Sequence, residues 1–260
     1  KPITRYSRTA RVSEQVIREL DLAYSYAMGH LGNPGPSYIE IPTDVLRSTV
    51  KDKLILSDWI QEKKSYKLYP NPEDISLLVK KIKKSKRPLL ISGRGANKCR
   101  DVLIDFLTKT GMLYLDTQES KGVVPLTHES NVFSSRSKVM AEADLVILLG
   151  RKLDYQLAYG SPAIFKEAEF VRISDIPDEL VDNRRGDPEI YANPKIVLDK
   201  MNNKKLNFDF DKKWILDIKS YHLSKIAKSK TDVSKILGDD SKIHPNFIFN
   251  CINNLTSGNF

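Results

Sequence analysis

The sequence feature that most constrains the fold is a short aliphatic run that ends at a glycine. Residues Leu145–Leu149 are all apolar, and Gly150, Arg151 and Lys152 follow directly. The run has the length of one strand and falls far short of the roughly 20 apolar residues of a membrane helix. Because both faces of the strand are apolar, we expect helices to cover it on both sides, as in a parallel sheet. Ligands bind beyond the carboxyl ends of such strands, although a solvated loop is the simpler alternative.

Similar runs alternate with helical patterns through the middle of the chain. The predicted strands are Pro88–Ser92, Met112–Asp116, Leu145–Leu149, Phe170–Ser174 and a short one at Ile190–Tyr191. Apolar residues at helical spacing occupy intervals between them, and Pro72 and Pro194 stand where helices are expected to begin. This alternation predicts an α/β fold, a doubly wound, Rossmann-like parallel sheet with right-handed crossovers.

The flanks of this region contain too little structure for separate cores. Residues 1–47 hold one helical pattern and one strand at Ser37–Pro42, and residues 1–12 are predicted to be irregular. The expected divisions are 1–47 as the tail of an adjacent α/β domain, 48–70 as a linker, 71–203 as the middle domain, 204–243 as a helical linker and 244–260 as the start of a further domain.

Composition excludes several classes of function. The net charge is +9, but the basic residues are interleaved with acidic ones and no basic motif with stacking aromatics occurs, so we expect no nucleic-acid partner. No run is long enough to predict a membrane partner. Cys99 and Cys251 provide no disulfide framework, which favours a cytoplasmic setting. The four histidines lack metal-ligand spacing, and no catalytic constellation is present, so we predict neither a metal site nor catalytic residues.

A glycine loop follows the first strand of the middle domain. Gly93, Arg94 and Gly95 lie between a predicted strand and a predicted helix. Glycines there allow the backbone to approach a phosphate, and the helix N-terminus adds N–H donors. The complete dinucleotide pattern requires a glycine where this chain has Lys98. A tight turn with glycine at positive φ is therefore an equal alternative.

Charged residues follow two other predicted strands. Lys152 follows the central strand, where a cation could pair with a diphosphate and Asp154 could hold that cation in place. Asp175 follows the next strand, where a carboxylate can accept hydrogen bonds from ribose hydroxyls. The alternative for Asp175 is a cap for the turn at Pro177.

Four segments in order carry a resemblance to a known family. They are Gly35–Val45 (GPSYIEIPTDV), Arg87–Asn97, Ala143–Asp154 and His244–Pro245. Together they resemble the thiamine-diphosphate enzymes of the acetolactate synthase superfamily. In that family they correspond to the end of the pyrimidine-binding domain, the glycine loop and central strand of the middle domain, and the start of the diphosphate-binding domain.

The resemblance implies a middle segment of a carboligase or decarboxylase acting on 2-oxo acids or acyl-CoA. Thiamine diphosphate and Mg²⁺ would then be held mainly outside the segment. The family's activating glutamate and its Gly-Asp-Gly…Asn motif are not found in this sequence, so we expect the segment alone to be inert. Because the family's thiamine sites lie between subunits, the resemblance also implies a homo-oligomer.

The middle domain of this family binds FAD or an adenine nucleotide in some members and nothing in others. Carried over by position, the cofactor-binding residues are Lys67, Gly93, Arg94, Gly95, Thr117, Lys152 and Asp175. Lysine replaces the family's arginine at Lys67 and Lys152, and two acidic positions fall on Ser174 and near Asn193, which counts against FAD. Lys152 and Tyr155 stand at positions that match the branch of 2-hydroxyacyl-CoA lyases and oxalyl-CoA decarboxylases, so the resemblance slightly favours that branch.

Two other classes of function stay open from the sequence. The middle domain could be a nucleotide- or CoA-binding module that works without thiamine. It could also be a scaffold that has lost its ligand and serves subunit assembly. A ligand titration separates these two.

Overall fold

The computed structural model describes residues 3–50, 67–204, 207–236, 243 and 245–256. Contacts divide the chain into two compact units, one formed by Lys1–Leu68 with Ile176–Asp178 and the other by Tyr69–Asp175 with Glu179–Phe260. Parts of the expected linkers 48–70 and 204–243 and of the segment 244–260, including His244, lie outside the described residues. The domain boundaries drawn from the sequence stay predictions.

The first unit is a small α/β element. It contains β1 (Tyr6–Thr9), α1 (Val16–Met28), β2 (Ser37–Glu40) and α2 (Thr43–Arg47). The prediction that residues 1–12 are irregular is wrong, because β1 pairs in parallel with β2. The hydrogen-bond partners of this strand are the residues of β2, about 30 positions later in the chain. No local pattern in the sequence predicts such a distant pairing.

The second unit is built on a five-stranded parallel sheet in the order β4-β3-β5-β6-β7. The strands are β3 (Pro88–Ser92), β4 (Leu113–Leu115), β5 (Leu145–Leu149), β6 (Glu169–Ser174) and β7 (Glu189–Tyr191). The five predicted strands and the parallel α/β fold are confirmed. The chain runs from β3 outward to β4 and then returns to the other side of β3 as β5, so the strand order reverses between β3 and β5. Ligands bind at such a reversal in open α/β sheets.

Helices cover both faces of this sheet. They are α3 (Pro72–Lys84), α4 (Arg100–Thr110), α5 (Arg136–Glu142), α7 (Pro194–Asn202) and α8 (Lys212–Ile236). The short α6 (Asp178–Val181) lies between β6 and β7 in the chain, and α9 (Pro245–Thr256) follows α8. Along β5, Ile147 and Leu149 face a core with α3, α4 and α7, whereas Val146 and Leu148 face a core with α5 and α8. The all-apolar strand is thus explained by burial on both faces, as its sequence predicts.

Two features that bear on function are absent from the described residues. Within them, no helix is both long and apolar enough to cross a bilayer. In the same part of the chain, no group of histidine, cysteine and carboxylate side chains is arranged to hold a metal ion.

Candidate functional site

The carboxyl edge of the central sheet gathers most of the predicted site residues. Gly93–Gly95 follow β3, Thr117 follows β4, Lys152 follows β5 and Asp175 follows β6. Because all of these strands are parallel, the loops after them emerge at the same edge. Lys67 is exposed and belongs to the first unit, and its part in the site stays a prediction.

The glycines after β3 are required by a close backbone contact. A Cβ added to Gly95 would lie 2.7 Å from the Gly150 Cα, and one added to Gly93 would lie 2.5 Å from the Gly150 carbonyl oxygen. The Gly95 N–H donates to that oxygen at 3.1 Å. Neither Gly93 nor Gly95 has a positive φ, whereas Gly150 has φ +56°. The sequence alternative of a positive-φ turn therefore does not describe this loop. Because Gly93 and Gly95 have no side chains, the loop after β5 can pack directly against the loop after β3.

Arg94 is held by a buried carboxylate. Its Nη2 lies 3.3 Å from Glu179 Oε1, and the other oxygen of Glu179 accepts a hydrogen bond from Ser174 Oγ at 2.8 Å. Burial raises the pKa of Glu179. Asp175, next to Ser174, is half-buried. Sequence reasoning missed Glu179, because nothing in the local pattern shows that this glutamate turns inward beneath Arg94.

The buried cation beyond β5 is Arg151 and not Lys152. The Arg151 side chain is 1 % exposed, and its guanidinium pairs with Glu119 Oε2 at 2.8 Å and Asp154 Oδ1 at 2.6 Å. Its Nη2 also donates to Gln156 Oε1 at 3.0 Å. Lys152 is exposed. The interpretation that Asp154 holds Lys152 is wrong, since Asp154 pairs with Arg151.

The hydroxyl and N–H groups of Thr117 are both used in hydrogen bonds within the protein. Its buried hydroxyl donates to the Ser92 carbonyl oxygen at 2.9 Å, and its N–H donates to Ser120 Oγ at 3.0 Å. Ser92 Oγ in turn lies 2.6 Å from the Tyr114 hydroxyl, whose pKa burial raises to about 12. These bonds fix the β4 loop on the end of β3.

A cavity of about 450 Å³ opens beside the β4 loop. It is lined by Asp116, Thr117, Gln118, Lys121, Leu126, Phe133, Arg136 and Gln156. Arg136 donates from Nη1 to the Asp116 carbonyl and from Nη2 to the Gln156 carbonyl, both at 3.2 Å. Burial raises the pKa of Asp116 and lowers that of Arg136. Asp116 Oδ2 is buried and has no hydrogen-bond partner among the described residues. The volume suits a small-molecule ligand.

Comparison with known proteins identifies the central region. Residues 75–201 match the family model described as "Thiamine pyrophosphate enzyme, central domain". Residues 75–201 are such a central domain. The resemblance drawn from the four sequence segments is thereby confirmed, and so is the Rossmann-like α/β fold.

Curated relatives extend this similarity beyond the central domain. The chain is 29% identical over 183 residues to oxalyl-CoA decarboxylase of Escherichia coli K12, covering 69% of this chain and 32% of that protein. It is 30% identical over 200 residues to 2-hydroxyacyl-CoA lyase of Arabidopsis thaliana, covering 74% and 33%. The chain thus spans about a third of the length of these relatives.

Solved structures share the fold. The chain aligns with a thiamine diphosphate-dependent 4-hydroxybenzoylformate decarboxylase of Rhodococcus jostii RHA1 at a TM-score of 0.65 and 18% identity, covering 81% of this chain and 41% of that one. It aligns with benzoylformate decarboxylase of Polynucleobacter necessarius at a TM-score of 0.62 and 19% identity, covering 82% and 40%.

Proposed function

We propose that this chain is the central segment of a thiamine-diphosphate-dependent lyase or decarboxylase that acts on an acyl-CoA substrate. The observation that supports this most directly is the central-domain match together with two relatives named for CoA-ester chemistry. Between the two substrate classes that the sequence left open, these relatives favour acyl-CoA over a free 2-oxo acid. Thiamine diphosphate, when bound, supplies an electron sink for a carbanion.

The described residues support a positioning role for this segment in the whole enzyme. We assign it no catalytic residue, and we propose that thiamine diphosphate and Mg²⁺ are held mainly by other parts of the protein. A homo-oligomer in the cytoplasm is part of the same proposal. The chain's own contribution is the rigid parallel sheet and the loops at its carboxyl edge.

We also propose that this edge takes an adenine nucleotide, and the side chains fit one in part. Lys152 is exposed beyond β5, where it can pair with a phosphate, and Asp175 beyond the adjacent β6 can accept from ribose hydroxyls. The glycine cradle is less open, because Gly150 covers Gly95. Lys152 and Asp175 therefore replace the glycine backbone as the expected main contacts.

The test is an assay of the full-length protein from which this segment derives. With thiamine diphosphate and Mg²⁺ added, we expect cleavage of 2-hydroxyacyl-CoA or oxalyl-CoA with kcat/KM at least about tenfold above that for 2-oxo acids. The 260-residue chain alone should show no turnover and serves as the control. Turnover restricted to 2-oxo acids would overturn the substrate class, and independence from thiamine diphosphate would overturn the proposal as a whole.

A further inference from the structure

The side chain of Arg151 crosses the ends of three strands. It starts beyond β5, and its stem lies over the end of β3, where a Cβ added to Gly93 would be 2.7 Å from Arg151 Cδ. Its guanidinium then reaches Glu119 in the loop after β4 at 2.8 Å. Because β5, β3 and β4 are consecutive in the sheet, the side chain forms a bar over the end of the middle strand.

Hydrogen bonds hold the guanidinium end of this bar in place. Asp154 and Gln156 both accept hydrogen bonds from Arg151 Nη2. Gln156 in turn donates from its amide Nε2 to Gln118 Oε1 at 3.1 Å. The side chain is almost wholly buried, so moving it would leave Glu119 and Asp154 without their cation. Separating such a pair is costly when the charges stay buried.

The bar has a different compartment on each side. Toward β4 lies the 450 Å³ cavity with Asp116 and Arg136 in its wall. Toward β6 lie Lys152 and Asp175, the residues proposed to contact a nucleotide. A ligand that filled both compartments would have to pass over the end of β3, where Arg151 lies.

The charge of the bar also opposes a phosphate chain. One arginine is paired with two carboxylates, Glu119 and Asp154, so the group carries net negative charge. A diphosphate crossing this point would meet two carboxylates that repel it. The Arg151 cation already donates to protein oxygens from Nη1 and Nη2, and only its buried Nε has no partner among the described residues.

We propose that Arg151 determines ligand size at this edge, admitting an adenine mononucleotide on the β6 side and excluding the second half of a dinucleotide. The inference rests on the proposed nucleotide site. On this proposal the chain rejects FAD and retains a place for ADP.

Calorimetric titration of the chain with ADP and with FAD tests the inference. We expect ADP to bind and FAD to bind no more tightly than ADP, because Arg151 keeps the flavin half of FAD from binding at this edge. In Arg151→Ala we expect the affinity for FAD relative to ADP to rise by about tenfold or more, with ADP affinity itself little changed. The double variant Arg151→Ala/Glu119→Gln repeats the test without leaving Glu119 as an unpaired carboxylate.

A second arm separates failure of the inference from failure of the nucleotide site. Lys152→Ala should weaken ADP binding about tenfold, whereas Lys166→Ala, at an exposed lysine that precedes the amino end of β6, should not. If ADP does not bind at all, the nucleotide site is refuted and the inference with it. If ADP binds but the wild type binds FAD more tightly than ADP, or the folded Arg151 variants leave the FAD-to-ADP ratio unchanged, only the role of Arg151 is refuted. A wild type that binds FAD more tightly than ADP refutes the role of Arg151 even if neither variant folds.

Discussion

Two arginines in the described part of the central unit are buried, and each fixes at least one loop. Arg151 joins the loops after β4 and β5 through Glu119 and Asp154. Arg172, inside β6, pairs with Asp182 and donates from Nη1 to the Asp182 carbonyl at 2.7 Å and the Arg184 carbonyl at 3.0 Å. The planar guanidinium can satisfy several acceptors at once, which a lysine cannot do. These side chains therefore act as cross-links within the carboxyl edge.

The contact between Gly95 and Gly150 leads to a prediction about stability. Gly95→Ala would place a Cβ 2.7 Å from the Gly150 Cα, so the β3 and β5 loops would have to separate. Overpacking of this kind costs about 1–3 kcal/mol, and we expect that loss in the free energy of unfolding measured by urea denaturation without any ligand.

Asn97→Ala is the matched control for that measurement. Asn97 is exposed in the same loop, and its substitution should change the free energy of unfolding by no more than about 0.5 kcal/mol. An equally stable Gly95→Ala variant would show that the loop tolerates a Cβ. The glycine would then have to be explained by a ligand instead of by its neighbour.

At the scale of elements, helix α8 supports one wall of the cavity. Ser135 Oγ donates to the Ile218 carbonyl at 3.1 Å, and the Ser134 N–H donates to His222 Nδ1 at 3.2 Å. The ring of Phe133, which lines the cavity, lies edge-on to His222 with centroids 4.9 Å apart. Docking of α8 and the shape of this wall are therefore linked.

His222 makes that docking dependent on pH. Burial lowers its pKa from the ordinary value of 6.5, so the folded state binds a proton less readily than the unfolded chain. The stability that neutral His222 provides is complete above about pH 6.5 and is lost as the pH falls through the lowered pKa. We expect Trp214, which lies on α8 and packs in the core between that helix and the sheet, to report the change by fluorescence in a Trp59→Phe background.

The variant His222→Asn should remove this pH dependence, because an amide oxygen can accept from Ser134 but does not take up a proton near neutrality. His128→Asn is the control, since His128 Nδ1 accepts from Ser130 within its own loop. The ion pairs around α8, Lys138 with Asp217 and Lys219 with Glu129, are present in both variants. A transition that persists unchanged in His222→Asn would refute the role of this histidine.

At the scale of the whole molecule, the two units differ in how much apolar surface they bury. The central unit has an apolar cluster on each face of its sheet. Within residues 3–50, the buried apolar residues are small, namely Ala10, Ala23 and Val45, while larger ones stay exposed, among them Leu20, Tyr24, Met28, Tyr38 and Leu46. A unit of this kind has little hydrophobic stabilisation of its own.

Fragments should show this difference directly. We expect residues 69–236 to unfold cooperatively by circular dichroism, with a midpoint close to that of the central unit in the whole chain. We expect residues 1–50 to be unfolded in isolation. Loss of cooperative unfolding in 69–236 would show that the central unit depends on the rest of the chain, contrary to the self-contained cores described here.

The strands and most helices of the central unit could be predicted because their signals are local. Apolar runs bounded by Gly and Pro place β3 and β5 to within a residue, and Pro194 marks the first residue of α7. The strand β1 was missed because its stability comes from pairing with β2. The inward turn of Glu179 was missed because its cation, Arg94, lies 85 residues earlier in the chain, in the loop after β3.

The sequence by itself determined the alternation of strands and helices, the burial of β5 on both faces and the central-domain family. These follow from periodicity and from motifs that are contiguous in the chain. Only the tertiary structure decided that Arg151, not its neighbour Lys152, is buried, because its partner Glu119 lies 32 residues away. It also decided that α8 braces the cavity through a contact spanning 88 residues. Partners so distant in the chain leave no local pattern, since only folding brings their charges and rings into contact.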